Sequence, residues 1–400
     1  RVLISGYTWN DSTGRNTVWD WDGVAWVQVG NFIDGASHVS GREPRCGRSH
    51  AMSGDGNIIA IASPYEAIDG STQLGAVRVY HLEGSTWTIL PDSGNLTKSS
   101  GDATGAFVGT QVDSLLGLGH TQLSYDGKTL SINEHGYDIT GKNDVGRALV
   151  YKYSNGAWSY KGTGASQFVG DTADIHFGSG MSMSEDGDHL AMGTRDAGHF
   201  IEVYKWSGSS WGIKGARINY PGSGADGFGR MTSLSNDGNI LSVGAYNADI
   251  AEGAQSDNAG VVYMYHYDST ASPEWVLHTT LTNPVHKGDD DFGSKVQLSG
   301  DGKKMLVSAA NWPNAGDQGI LYMYHYHNNA WTLQIPIEKH SAVGGGTDHY
   351  LGYAYSQGKA ANLSRDGNVI FGGEFGFNSG VGRTRVWISP GNIKNIWGSN

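Results

Sequence analysis

The sequence predicts an all-β fold: a seven-bladed β-propeller of four-stranded antiparallel blades, occupying residues 1–400 as a single domain. Three observations predict it. An Asp-Gly pair recurs six times, at Asp55-Gly56, Asp126-Gly127, Asp186-Gly187, Asp237-Gly238, Asp301-Gly302 and Asp366-Gly367. A serine stands two residues before each Asp, at Ser53, Ser124, Ser184, Ser235, Ser299 and Ser364. Between turns the same series returns: a short apolar run, a Gly/Asp/Asn-rich loop, a run alternating on period two, then a Trp. A sheet-sized unit repeated without intervening helices is the mark of a propeller.

The Asp-Gly pair is tight-turn chemistry, because Gly accepts the left-handed backbone that such a turn needs. Each repeat therefore reads strand, turn, strand. A second glycine opens the first strand nine residues before the turn glycine, at Gly47, Gly178, Gly229, Gly293 and Gly358, with Gly119 eight before Gly127. Phe177, Phe228 and Phe292 precede it in three repeats, an aromatic anchor beside a point of close backbone approach. Second strands are expected at residues 58–62, 130–132, 190–192, 240–243, 305–307 and 369–371, and third strands at 77–80, 148–151, 201–204, 261–265 and 320–324. Trp87, Trp158, Trp211, Trp275 and Trp331 open the fourth.

At the ends, residues 2–6, 17–20 and 26–29 read as second, third and fourth strands of a unit lacking its first. Residues 358–389 supply three strands of a last unit and leave 393–398 as its fourth. One incomplete, five complete and one nearly complete unit make seven. Residues 91–112 and 335–352 read as loops between blades.

Composition bounds the function. The formal charge of -12 and the lack of Lys/Arg clusters argue against nucleic acid or an anionic membrane as partner. Cys46 is the only cysteine, so no intrachain disulfide and no thiolate metal cluster is expected. No apolar run approaches the length of a transmembrane helix, and a chain beginning at Arg1 is compatible with a removed leader. Asn10, Asn95 and Asn362 head glycosylation triplets. The expected setting is extracellular or at a cell surface.

The stretch DFGSKVQLSGDG, its apolar strand and GILYMYHY resemble the FG-GAP repeat, as do FGRMTSLSNDG with GVVYMYHY and, more weakly, FGSGMSMSEDG. The resemblance implies a relative of the integrin α-subunit propeller, and hence ligand binding or scaffolding outside the cell. Integrin-type repeats carry an Asp-rich calcium loop, whereas these turns hold one carboxylate each, fewer oxygens than calcium requires. The Asp residues are read as turn formers, and no metal or cofactor is expected.

No catalytic motif stands out, and no catalytic residue is assigned. The residue after the opening glycine is basic at Arg48, His120, Arg230 and Lys359, an arrangement suited to binding an anionic group at a channel mouth. Tyr65, Tyr246 and Trp312 follow the second strand in three repeats and could stack on sugar rings. Asp171, Asp174, Asp226 and the Asp289-Asp290-Asp291 run gather before opening glycines. His266, Tyr267, His325, Tyr326 and His327 extend third strands in equivalent places and read as architecture.

The leading expectation is a non-enzymatic binding or structural module whose loops contact glycans, proteins or copies of itself. Self-assembly would use the strand missing from the first blade. The alternative is a carbohydrate-active lyase or hydrolase working on an anionic polysaccharide.

Overall fold

The computed structural model describes residues 1–36, 43–68, 73–90, 105–164, 168–195, 198–224, 226–250, 258–284, 289–311, 319–337, 351, 361–374 and 383–388. They form seven antiparallel sheets, the blades of a seven-bladed β-propeller, and almost no helix. Blade 1 holds β1 (Val2–Gly6), β2 (Arg15–Trp21) and β3 (Trp26–Asp34); a four-residue turn, α1 (Trp9–Ser12), with Asn10 and Asp11 in left-handed backbone, joins the first two. Blade 2 runs β4 (Ser49–Met52), β5 (Ile58–Ser63), β6 (Ala76–Glu83) and β7 (Thr86–Ile89), with β8 (Phe107–Val108) also on β6.

Blade 3 holds β9 (Leu116–Leu123), β10 (Thr129–Glu134), β11 (Arg147–Ser154) and β12 (Ala157–Tyr160), with β13 (Phe168–Val169) on β11. Blade 4 holds β14 (Gly180–Met183), β15 (His189–Gly193), β16 (Phe200–Trp206) and β17 (Trp211–Ile213), with β18 (Ile218–Asn219) on β16. Blade 5 is β19 (Met231–Leu234), β20 (Ile240–Ala245), β21 (Val261–Tyr267) and β22 (Trp275–Thr282). Blade 6 is β23 (Phe292–Leu298), β24 (Lys304–Ala309), β25 (Ile320–His327) and β26 (Ala330–Ile337). Blade 7 is β27 (Ala361–Leu363), β28 (Val369–Glu374) and β29 (Arg383–Ile388).

The first and last blades are three-stranded among the described residues. The expected fourth strand at residues 393–398 lies outside them. One expectation is corrected: residues 91–112 do not merely link blades, because Phe107 and Val108 pair with Val77 and Ala76 on β6. They form β8, which lies on β6 together with β7. Blade 5 covers the same edge with one continuous strand, β22.

The turns confirm their expected chemistry. In five of them the Ser hydroxyl donates to the Asp carboxylate at 2.6 Å. In all six the residue after Gly donates its N–H to the same carboxylate. The N–H that opens the second strand donates back to the Ser oxygen. Each Asp is thus consumed in closing its own turn, and Gly302 takes the required φ of +68°.

Packing between neighbouring sheets repeats as well. Val262, Met264, Val296, Leu298 and Tyr322 fill one layer between blades 5 and 6, around Phe292. Three of the fourth-strand tryptophans reach back to the preceding blade: the Trp87 indole donates to the Val29 carbonyl, Trp211 to Lys161 and Trp275 to Lys214. Inner strands are clasped by hydroxyls. Ser49 accepts the Thr121 N–H, Ser182 that of Leu234, and Ser233 that of Leu298.

The chain divides into two compact units. One comprises residues 1–179, 185–188 and 206–212; the other comprises 180–184, 189–205 and 213–400. Among the described residues no helix is long and apolar enough to cross a membrane.

Candidate functional site

The segment leading into each inner strand has a common form. Arg45, Leu115, His176, Gly227 and Asp291 have φ of +51°, +53°, +45°, +76° and +54°. The N–H three residues on donates to the carbonyl of each, from Arg48, Leu118, Ser179, Arg230 and Ser294. That bond fixes which positions correspond. The opening glycine of blade 3 is therefore Gly117, at φ +81°, and not Gly119. An irregularity in register where β9 meets β10 hid the match. His120 consequently lies two residues beyond the position it was expected to share with Arg48 and Arg230.

The expected ligand-binding residues are distributed as follows. The Arg48 guanidinium lies 5.2 Å from the Tyr7 ring, and that of Arg45 4.9 Å from the Tyr65 ring. Arg230 donates to the Tyr246 hydroxyl at 2.5 Å, so two of the expected residues meet directly. Lys359, Trp312 and Asn95 lie outside the described residues. Asn10 and Asn362 are exposed. Of the acidic run, the Asp290 carboxylate accepts from Asn283 at 2.9 Å and that of Asp291 from Asn311 at 2.7 Å. Tyr220 donates to Asp226. Among the described residues no three His, Cys, Asp or Glu side chains are placed to hold a metal ion. His266 stacks on His278 at 4.3 Å with Tyr326 edge-on to both, and burial, then the neighbouring His278, lowers the pKa of His266.

The densest gathering of proton-transfer groups was not singled out from the sequence. It centres on Ser179, which contacts three histidines through three different groups. Its N–H donates to the His176 carbonyl at 3.0 Å. Its carbonyl accepts from His120 Nδ1 at 2.7 Å. Its hydroxyl pairs with His135 Nδ1 at 2.8 Å. The His135 and His176 rings stack in parallel, 4.0 Å between centroids and 2° between planes, and His176 Nδ1 donates to the His135 carbonyl at 3.2 Å. A carbonyl can only accept, so His120 and His176 each carry a proton on Nδ1 and, when neutral, the lone pair on Nε2.

Sequence and fold place these groups. His135 follows the last residue of β10, Ser179 precedes β14, and His176 sits at the left-handed point of the segment between blades. Ser179 is fully buried and His135 is 6% exposed, whereas His176 is half-buried and reaches the surface.

A buried ion pair stiffens the base of this group. Arg147 Nε donates to Glu134 at 2.5 Å, and Glu134 also accepts the Thr110 N–H at 2.6 Å. The guanidinium sits 3.8 Å from the Tyr137 ring. Beside it the Asn133 Oδ1 accepts the N–H groups of Gly119 and His120. Among the described residues the buried Asn133 Nδ2 has no hydrogen-bond partner.

No protein-family model matches the chain, and no curated protein matches it in sequence. Solved structures do match in fold. A candidate 6-phosphogluconolactonase from Bacteroides uniformis is similar with a TM-score of 0.56 at 13% identity, covering 98% of this chain and 94% of that one. The periplasmic gluconolactonase of Pseudomonas aeruginosa gives 0.51 at 18% identity, with 98% and 94% covered. The Cps50 (Swd1) β-propeller domain from Myceliophthora thermophila gives 0.51 at 10% identity, with 94% and 90% covered.

These likenesses carry the β-propeller class for this chain. They give no support to the FG-GAP or integrin resemblance. They also overturn the expectation of a non-enzymatic binding or structural module, since the first two structures are described as lactonases. The physical reason is that a propeller supplies loops to a site without fixing what the site does. Catalytic groups drawn from separate blades leave no local motif whose absence could be informative.

Proposed function

We propose that this protein is a hydrolase of the carbohydrate-active kind, opening an ester or lactone bond in an acidic sugar derivative, with its chemistry at His176, His135 and Ser179. The observation that carries this reading is the convergence of three histidines on Ser179. The likeness to two structures described as lactonases supports it. In this reading His176 is the catalytic base. Its Nε2 takes a proton from a water whose oxygen attacks the carbonyl carbon of the substrate. The tetrahedral intermediate then expels the ring alkoxide, which recovers the proton from the imidazolium, so that lactone and water become one hydroxy acid.

His135 and Ser179 are positioning residues. The parallel stack and the bond to the His135 carbonyl hold the His176 ring and its tautomer, and the Ser179 hydroxyl orients His135. A lactone is an already activated acyl group, so general base catalysis at about 10²–10⁴-fold suffices to make a useful enzyme. Secretion or surface display, and glycosylation at Asn10 and Asn362, belong to the same proposal.

The test is release of acid from glucono-δ-lactone and from a panel of acidic polysaccharides, followed at constant pH. Wild type is expected to exceed buffer alone, and His176→Gln to lose about 100-fold or more in kcat with its melting temperature retained. Ser179→Ala is expected to lower kcat less and leave KM unchanged. Equal rates for wild type and His176→Gln overturn the assignment.

A further inference from the structure

The seam between blades 5 and 6 departs from a clamp repeated elsewhere. Val29, Lys161 and Lys214 each stand three residues after a fourth-strand Trp, and each offers its carbonyl to the indole of the next, from Trp87, Trp211 and Trp275. The two lysines add a cation. The Lys161 ammonium lies 5.5 Å and 5.3 Å from the Trp206 and Trp211 rings and donates to the Gly187 carbonyl. That of Lys214 lies 4.5 Å and 5.9 Å from Tyr267 and Trp275 and donates to the Gly238 carbonyl. The residue three after Trp275 is His278. The next indole in the series, that of Trp331, is buried, and among the described residues its N–H has no hydrogen-bond partner.

A bulge sits at the point of departure. Met264 pairs with Thr279 and Tyr265 with Leu277, so His278 is the extra residue of β22 and opposes none. A bulge re-aims the side chain it carries. The His278 ring stacks on His266 of β21, with 4.3 Å between centroids and 26° between planes. The Tyr326 ring of blade 6 stands edge-on to both, at 5.5 Å and 5.4 Å, and Trp331 lies 5.3 Å from Tyr326. Both imidazoles are half-buried, and among the described residues the buried His266 Nε2 has no hydrogen-bond partner. The influences on the His266 ring are burial and then His278, and both favour its neutral form. Charged groups on the surrounding elements are engaged elsewhere or face solvent: Glu274 accepts from Ala216, Asp268 from Thr270 and Asp237 from Asn239, Lys304 donates to Asn368, and Lys303 is exposed.

We propose that the stacked pair His266 and His278 is an acid-sensitive latch on the seam between blades 5 and 6, closed while the rings are neutral and released when both are protonated. Two imidazolium charges at 4.3 Å repel each other, and a protonated His266 Nε2 is a buried donor with no acceptor beside it. The closed seam therefore holds at most one proton, whereas the opened seam holds two below the ordinary histidine value of about 6.5. The sign follows: the open state binds more protons in acid, so closure is complete above about pH 6.5 and weakens as pH falls. The clamps at Lys161 and Lys214 keep their cations throughout that range, the latter with a pKa of about 8, and are unaffected. The latch does not rest on the hydrolase reading.

The experiment is amide hydrogen exchange of the full chain at pH 7, 6 and 5, corrected for the intrinsic exchange rate and read by mass spectrometry on peptides covering residues 275–282 and 320–333. Wild-type protection there is expected to fall about tenfold to thirtyfold between pH 7 and pH 5, while the segment around Lys214 changes little. His266→Phe keeps a flat ring in the stack and is expected to hold the same protection at both pH values. His278→Gln copies Gln334, the extra residue at the equivalent point of β26, and is expected to reduce the change to about threefold or less. Wild-type protection that is the same at pH 7 and pH 5, a loss as large around Lys214 as in the seam, or a change of wild-type size in both variants overturns the latch.

Discussion

Replacing Lys295, which is 7% exposed, by Met introduces an apolar side chain of similar length at a position where blade 5 already carries Met231. Burial lowers the pKa of the amine from 10.5 to about 8. At about 1.4 kcal/mol per pH unit, that fall corresponds to about 3 kcal/mol by which the charged form weakens the folded state. The sign follows from the proton balance. Between pH 8 and 10.5 the unfolded chain holds the proton and the folded chain does not, so stability rises with pH across that window. The penalty is fully present below pH 8 and relieved by pH 10.5.

Lys295→Met is therefore expected to be more stable than wild type at pH 7, by up to about 3 kcal/mol. For a chain of this length that is about 3–4 °C in melting temperature. The advantage should shrink steadily to near zero by pH 10.5. The assay is thermal unfolding of both proteins between pH 6.5 and 10.5 without organic acids in the buffer. A Met variant less stable than wild type at pH 7, or a difference that does not change with pH, refutes the reasoning.

The turns and the buried ion pair yield three more predictions. Gly302→Ala forces a left-handed alanine at φ +68° and puts its Cβ 2.7 Å from Ile240 Cδ1, so a loss of about 1–2 kcal/mol or more is expected in denaturant unfolding. Glu134→Gln leaves the Arg147 guanidinium buried without its counter-charge; a loss of about 3–5 kcal/mol is expected, and a variant as stable as wild type contradicts the role given to the pair. The Ser53 and Ser364 hydroxyls hold the carboxyls of Asp55 and Asp366 below the usual range. Their contribution is complete above the unfolded carboxyl value of about 3.9 and is lost as pH falls through the lower folded values. The double variant Asp55→Asn, Asp366→Asn should flatten the fall in melting temperature as the pH drops below about 4.

The blades were legible in the sequence because each Ser-x-Asp-Gly turn is locally determined: serine, aspartate and glycine all act within five residues of one another. The third strands were legible from alternation, since Val77 and Val79 face one apolar layer while Tyr80 faces another. Two features escaped for a shared reason. Phe107 and Val108 stand far along the sequence from β6, the strand they pair with, and the irregular register of β9 moved the apparent opening glycine from Gly117 to Gly119. Each breaks the constant spacing on which a repeat is recognised.

The candidate site escaped for a different reason. His135 and Ser179 are 44 residues apart and belong to different blades, so no spacing rule joins them. Ser179 does occupy the position after the opening glycine, but a serine there carries no charge to mark it. The left-handed backbone of His176 does not mark it, because Arg45, Leu115 and Asp291 share that conformation at the equivalent positions. Lys295 lay within the quoted repeat motif. Comparison with Met231 in the next blade marks it, once the residues are aligned on the opening glycine.

The measurement that bears most directly on the account is the initial rate of glucono-δ-lactone opening by wild type and by His176→Gln, at matched concentration with folding verified by melting temperature. The account predicts a saturable wild-type rate well above buffer and a variant reduced about 100-fold or more at unchanged stability. Rates indistinguishable between the two proteins, or a wild-type rate no greater than buffer for this lactone and for every acidic polysaccharide in the panel, contradict it.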